Sequence, residues 1–196
     1  MNKEAVAGIF VGGHSSRMGS PKGLLSYQGT PLIERWVALF GQMHMRAVLV
    51  GARPEYATFG LPMIRDDTLA TGPCAGLSAL LSMVLSAPKH REGRAYAIAV
   101  ACDMPYVPLH LVERLRDMPD SAVVAAQRGD FWEPFFARYD ATCVLPILKS
   151  RIAKKQFDLQ GILHDSQATV LPMSKAELEL LADWDSPTDI PPKGVS

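Results

Sequence analysis

The sequence is poor in cysteine: Cys74, Cys102 and Cys143 are the only three, widely spaced and without a CxxC pair. That excludes a disulfide framework and leaves no zinc-ligand spacing. Three small apolar thiols suit a reducing, cytoplasmic compartment. An excess of charge of one sign is also missing, because Lys+Arg and Asp+Glu both number 20. The chain therefore has no general attraction to nucleic acid or to an anionic membrane, and any anion site must be local. No apolar run approaches the ~20 residues needed to span a bilayer. The N-terminal run Val6–Val11 is too short for a signal peptide and ends in Gly12-Gly13 rather than a cleavage site. The five histidines, His14, His44, His90, His110 and His164, form no HExxH and no cluster, and Ser15 and Ser16 stand in no G-x-S-x-G elbow. Zinc-dependent and serine-nucleophile hydrolysis thus lose their sequence support.

No repeat, low-complexity segment or shift of composition divides the 196 residues, so one domain spanning 1–196 is expected. With 48% hydrophobic and 20% charged residues, the chain can bury a sizeable core. Apolar runs at 6–11, 46–52 and 95–103 read as buried strands, with a further strand within 60–67 and others at 121–126, 134–139 and 168–172. Helical spacing follows Thr30-Pro31, read as N-cap and first helical residue, and recurs after 71–73, over 109–117 and over 140–150, where Pro146 should disturb it. The segment from Ser174 reads equally as a helix opened by a Ser174/Glu177 capping box or as a strand leading into a proline turn. Trp36 and Phe40 read as a core stripe, and Trp132 as either packing or the wall of a ligand pocket. Strands alternating with helices imply an α/β, doubly wound, mostly parallel sheet of Rossmann-like type. Ligands of such sheets sit at the carboxyl ends of the strands.

Two features fall on that edge. The first is the loop "GGHSSRMGSPKGLL" at 12–25, directly after the first strand. Glycines allow backbone N–H groups to approach phosphate oxygens, Arg17 offers a bidentate fork, and Lys22 a compact charge. The spacing matches neither G-x-x-x-x-G-K-[ST] nor G-x-G-x-x-G, so P-loop kinases and dinucleotide dehydrogenases are disfavoured. The second is Asp103, which ends the most apolar strand and is followed by "MPYVP". A carboxylate beside a polyphosphate loop is suited to holding a divalent cation.

With these residues in view, the chain resembles the molybdenum cofactor guanylyltransferase (MobA-like) group of the nucleotidyltransferases. The opening loop is similar to GGxSxRMGxxKxLL, and "YQGTPLIERW", "RDDTLATGPCAGLSALL", "ACDMPYVP", "EPFFARY" and "DWDSPTDI" follow in the expected order. The resemblance implies a nucleotidyltransferase fold and transfer of GMP from Mg²⁺-GTP to the phosphate of molybdopterin, with pyrophosphate as the leaving group. It implies that Arg17 and Lys22 bind phosphates, and that Gly12, Gly13 and the main chain of Phe10 hold the triphosphate and base edge. Asp67 would contact the nucleoside, with Asp66 the alternative. Gly72 would allow close backbone approach, and Asp103 would ligate Mg²⁺ with Asp185 as a second candidate. It also implies a monomer whose partners are other proteins of molybdenum cofactor biosynthesis. Three departures stand out: Gly51 replaces an asparagine, and Asp183 and Asp185 replace two late asparagines. The rival readings are a cytidylyl- or sugar-phosphate nucleotidyltransferase of the same fold, and a non-catalytic nucleotide- or pterin-binding relative.

Overall fold

The computed structural model describes residues 4–12, 21–87 and 93–190. Its centre is a seven-stranded sheet. The strands are β1 (Ala5–Phe10), β4 (Ala47–Val50), β5 (Met63–Ile64), β6 (Tyr96–Ala101), β7 (Val123–Arg128), β8 (Phe131–Asp140) and β9 (Thr169–Val170), in the order β5-β4-β1-β6-β8-β7-β9. β1 pairs in parallel with both β4 and β6, β4 with β5 and β7 with β9, whereas β8 runs antiparallel to β6 and β7. The mixed but mostly parallel sheet of a single α/β domain is therefore the architecture the sequence pattern implies.

Both faces of the sheet are covered, which is why β1 is buried along its whole length. Helices α2 (Pro73–Ser86), α4 (Ala141–Ala153) and α5 (Leu159–Asp165) supply Leu77, Leu80, Leu145 and Leu163 to one apolar layer with Val6 and Phe10. On the other face α1 (Leu32–Gln42) and α3 (Leu109–Asp117) pack Trp36, Phe40, Leu111 and Leu115 against Ala7 and Ile9. Trp36 and Phe40 stack with centroids 5.5 Å apart, as a core stripe should. Gly8 is needed beneath α2, since a Cβ there would collide with Leu80.

Several local expectations change. Thr30 does not cap a helix: Ser26–Tyr27 (β2) and Thr30–Pro31 (β3) form a small hairpin, and Pro31 precedes the first turn of α1. Its turn places Gln28 at φ 51° and Gly29 at φ 80°, the paired positive φ of a two-residue hairpin turn. Pro146 does not interrupt α4, which runs from Ala141 to Ala153 with Pro146 on its exposed side. The Ser174/Glu177 capping box does form, but it opens only the short α6 (Lys175–Glu179), and no strand follows among the described residues. Helix α5, which the sequence pattern did not suggest, is capped by Asp158. No helix among the described residues is long and apolar enough to cross a membrane.

Candidate active site

A cleft of about 360 Å³ opens at the carboxyl ends of β1 and β6, where the chain order in the sheet reverses. Phe10, Val11 and Gly12 enter it from β1, Val50 from β4, and Ala101, Cys102 and Asp103 from β6. The first turn of α2 closes one side through Gly72, Pro73 and Gly76. Gly72 has φ 59° and ψ −148°, a conformation open in practice only to glycine, and Pro73 then starts the helix. Gly76 lets α2 lie close, because a Cβ there would sit 2.9 Å from both Phe10 and Val50. The 14-residue helix has no acidic residue in its first turn, and the positive end of its dipole faces the cleft.

Lys22 begins a 3-10 turn, Lys22–Leu24, that rests on Tyr56. The Gly23 N–H donates to the Tyr56 hydroxyl at 3.2 Å, and a Cβ on Gly23 would meet the Tyr56 ring at 2.9 Å. Burial pushes the Tyr56 hydroxyl up to about 12, so it remains a neutral support. From this turn the Lys22 ammonium donates to Asp103 Oδ2 at 2.7 Å and to Asp185 Oδ1 at 2.6 Å. Burial opposes the ammonium charge, but its hydrogen bonds to Asp103 and then to Asp185 outweigh it and hold its pKa above the ordinary lysine value.

Asp103 is fixed from both sides. The Cys102 N–H continues the ladder to the Phe10 carbonyl at 3.1 Å, and the Asp103 carbonyl accepts from the Trp184 N–H at 3.0 Å. Trp184 is buried, donates from Nε1 to the Tyr106 hydroxyl at 3.2 Å, and meets the Tyr27 ring edge-on at 5.9 Å. This aromatic cluster anchors the late segment that brings Asp183 and Asp185 to Asp103. One carboxylate oxygen from each of the three lies within 4.8 Å of the others. Such a hard-oxygen donor set fits a divalent cation of the magnesium type. Desolvation first, and then the neighbouring Asp185 charge, raise the Asp183 pKa. Cys102 offers no competing thiolate, since burial pushes its thiol up to about 12.

The adjacent carboxylates Asp66 and Asp67 separate. Asp66 lines the cleft. Asp67 instead accepts from the Ser78 hydroxyl at 2.6 Å and the Leu69 N–H at 2.9 Å, and its own N–H donates to the Ala75 carbonyl. The Ser78 bond, then the Leu69 bond, hold its pKa below the usual carboxylate value. Gly51, at φ +101°, lies against Gly12: a Cβ would stand 3.3 Å from the Gly12 nitrogen. Of the sequence candidates, Phe10, Gly12, Lys22, Gly72 and Asp103 line the cleft, and Asp185 joins through Lys22. Gly13 and Arg17 lie outside the described residues.

Asp183 and Phe135 also line the cleft, and Asp183 belongs to the carboxylate group, although the sequence marked it only as a departure from the resemblance. Phe135 arrives through a bulge. The pairing of β7 with β8 jumps from Ala125↔Ala137 to Ala126↔Glu133, where Pro134 cannot donate to the ladder. The buried Tyr139 hydroxyl pins this bulge on the Pro134 carbonyl at 2.8 Å, and Phe135 packs on Phe10 with ring centroids 4.7 Å apart. The proline inside "EPFF" was the available signal. Trp132 is only partly buried and packs on the core, its backbone held by Gln160, rather than lining the cleft.

The model of the MobA-like NTP transferase domain matches residues 7–167. A protein of Pelotomaculum thermopropionicum named probable molybdenum cofactor guanylyltransferase is 30% identical over 156 residues, covering 78% of this chain and 71% of its own. The molybdenum cofactor guanylyltransferase of Xanthomonas euvesicatoria pv. vesicatoria is 29% identical over 182 residues, covering 91% and 88%. The solved molybdopterin-guanine dinucleotide biosynthesis protein A of Archaeoglobus fulgidus superposes with a TM-score of 0.73 at 22% identity, covering 94% of each chain. With a family match over most of its length and the charged cleft at the expected strand ends, the chain belongs to the MobA-like NTP transferases and is a nucleotidyltransferase.

Proposed function

We propose that this nucleotidyltransferase uses GTP and molybdopterin, joining GMP to the pterin's phosphate. The observation that carries the reading is the meeting of Lys22 with Asp103 and Asp185 at the mouth of a cleft walled by Gly12 and Gly72. The relatives named as guanylyltransferases supply the choice of substrates.

In the proposed reaction an oxygen of the acceptor phosphate attacks the α-phosphorus of GTP. A new P–O bond forms, the bond to the β-phosphate oxygen breaks, and pyrophosphate leaves with the electron pair. No protein nucleophile is needed; positioning and electrostatics supply the acceleration. Lys22 and Arg17 bind the phosphates and meet the charge that grows on the leaving group. The backbone at Gly12, Gly13 and Phe10, with Gly72 opposite, admits the nucleotide closely. Asp66 contacts the nucleoside, in preference to Asp67, whose oxygens are already engaged by Ser78 and Leu69. Asp103 and Asp185, with Asp183 beside them, would hold Mg²⁺, which when bound neutralises phosphate charge.

The test is pyrophosphate release from GTP, CTP or ATP, each supplied with molybdopterin and Mg²⁺. GTP should be turned over fastest. Faster turnover of CTP would make the protein a cytidylyltransferase. Nucleotide binding without turnover on any acceptor would make it a binding protein.

A further inference from the structure

The ammonium of Lys22 sits on the carboxylates that a divalent cation would use, competing for their oxygens and repelling a second cation. Its bonds of 2.7 Å to Asp103 and 2.6 Å to Asp185 engage two of the three clustered carboxylates. The pair to Asp103 is sheltered, with side-chain exposures of 22% and 11%, so solvent screens it less than an ordinary surface ion pair. A lysine and a divalent cation cannot both take the same lone pairs. Lysine also has a second favourable partner, since its compact charge on a flexible stem suits phosphate as well as carboxylate.

The surroundings allow Lys22 to change partner alone. The late segment carrying Asp183 and Asp185 is held by the Trp184 N–H on the Asp103 carbonyl and by Trp184 against Tyr106 and Tyr27. The base of the lysine is held by Gly23 on Tyr56. Neither support uses the ion-paired atoms, so the ammonium can leave without breaking either one. The moving part is one side chain, and no backbone rearrangement is required.

We propose that Lys22 is a resident counter-cation that locks the Asp103–Asp185 pair against divalent metal until a polyphosphate draws it away. Metal and nucleotide then bind cooperatively, because each removes what opposes the other. The linkage is reciprocal: whatever factor polyphosphate adds to metal affinity, metal adds to polyphosphate affinity. Asp185 is what closes the lock in this chain, through the carboxylate it presents to Lys22 where the resemblance leads one to expect an asparagine. The inference rests on the cleft being a metal-nucleotide site.

The experiment uses the full chain without nucleotide and measures Mn²⁺ affinity from the paramagnetic resonance of free Mn²⁺. Lys22→Met should tighten Mn²⁺ by roughly tenfold, the scale of one partly screened charge pair. Loss of a nearby positive charge would itself favour a cation, so a second readout follows the lysine directly. The rate at which an acylating reagent labels Lys22, read by mass spectrometry, should rise several-fold when Mg²⁺ is added. It should rise likewise in metal-free Asp185→Asn, which opens one arm of the lock. Equal or weaker Mn²⁺ binding by Lys22→Met overturns the proposal, and so does Lys22 labelling that neither Mg²⁺ nor Asp185→Asn changes. If neither protein binds Mn²⁺ even with GTP present, the metal-nucleotide reading falls together with the lock. If both bind it equally, the lock alone falls.

Discussion

Strand β6 carries clustered charge at both ends, and the two ends differ in how that charge is closed. Opposite Tyr96, at its start, Asp140 is fully buried and accepts from the Thr142 N–H at 3.0 Å and from Arg94 at 2.8 Å. Arg138, one pair further along the same face, donates to the carbonyls of Arg116, Met118 and Pro119 and lies 4.8 Å over the Tyr96 ring. With Asp120 near Arg94, acids and bases balance there, and the partners are covalent parts of the fold. At the other end, roughly 20 Å away by strand rise, Asp103, Asp183 and Asp185 gather at an open cleft, where among the described residues Lys22 is the cation that meets them. Charge that the fold satisfies with its own backbone holds the fold together. Charge left in excess at a strand's carboxyl end waits for a ligand.

The contrast breaks most sharply at Asp103. Asp103→Ala should lower kcat by about 10³-fold, the upper range for removing one preorganised electrostatic contact, yet change folding stability by no more than about 1 kcal/mol, since like charges surround it. Pyrophosphate release and thermal unfolding, measured on one preparation, check both halves. Lys22→Ala should cost about 100-fold in kcat/KM; a loss below tenfold would confine Lys22 to its ion pairs with Asp103 and Asp185.

The opposite end should respond in the opposite way. Asp140→Ala removes the cap of α4 and a charge-assisted bond to Arg94, worth together about 2–4 kcal/mol of stability. Activity per folded molecule should stay within a factor of about two, a scale set by the ~20 Å that separates the ends. Urea titration gives the first quantity and active-fraction turnover the second. A large kcat loss in a fully folded Asp140→Ala protein would show that the ends of β6 are coupled.

The Asp103 end of this contrast could be read before any fold was known, the Asp140 end could not, and the unread part has physical causes. An apolar strand ending in Asp103, and a glycine-rich loop carrying Lys22, are local signals, and the carboxyl-edge rule joins them. The span of α3 was visible because its helical periodicity is strong over all nine residues, Leu109–Asp117. Helix α5 was not, since seven residues with Gly161 in the middle give little periodicity. The hairpin at Gln28-Gly29 did leave a turn signal, but Thr30-Pro31 also satisfies a helix start, and local pattern cannot choose between them. Asp183 and Phe135 reach the cleft only through tertiary devices, the Trp184 anchor and the β8 bulge. Neither has a sequence period. The same holds for Asp66 and Asp67: in a loop no alternation says which of two neighbours faces a ligand.

That pair supplies a finer test on the cleft side. Asp66→Ala should raise KM for the nucleotide by about tenfold, the worth of one hydrogen bond to a ligand, with kcat held. Asp67→Ala should leave KM alone and cost about 1–2 kcal/mol of stability, because the buried Ser78 hydroxyl loses its acceptor. Steady-state kinetics and denaturation of the two variants decide it. The reverse pattern would return the nucleoside contact to Asp67.

The smallest expected effect concerns the base. Guanine presents the O6 acceptor beside N1–H and N2–H₂ donors, and a selective wall must match that edge, since an unpaired buried polar group costs about 1–3 kcal/mol. The backbone N–H of Gly12 can serve O6, and Asp66 on the cleft wall can accept from the donors. Gly51 adds nothing: it has no side chain, its φ of +101° resists one, and a Cβ there would press on Gly12 at 3.3 Å. Where the resemblance leads one to expect an amide, the contact is lost or passes to water, and a water that can turn discriminates poorly between donor and acceptor edges. GTP should therefore outcompete ATP and CTP by only about tenfold, one contact's worth of free energy. Competition binding of the three nucleotides with Mg²⁺ measures this. A preference above about 10³-fold would mean that Gly12 and Asp66 read guanine without help from position 51, and tighter binding of CTP would reverse the choice of base altogether.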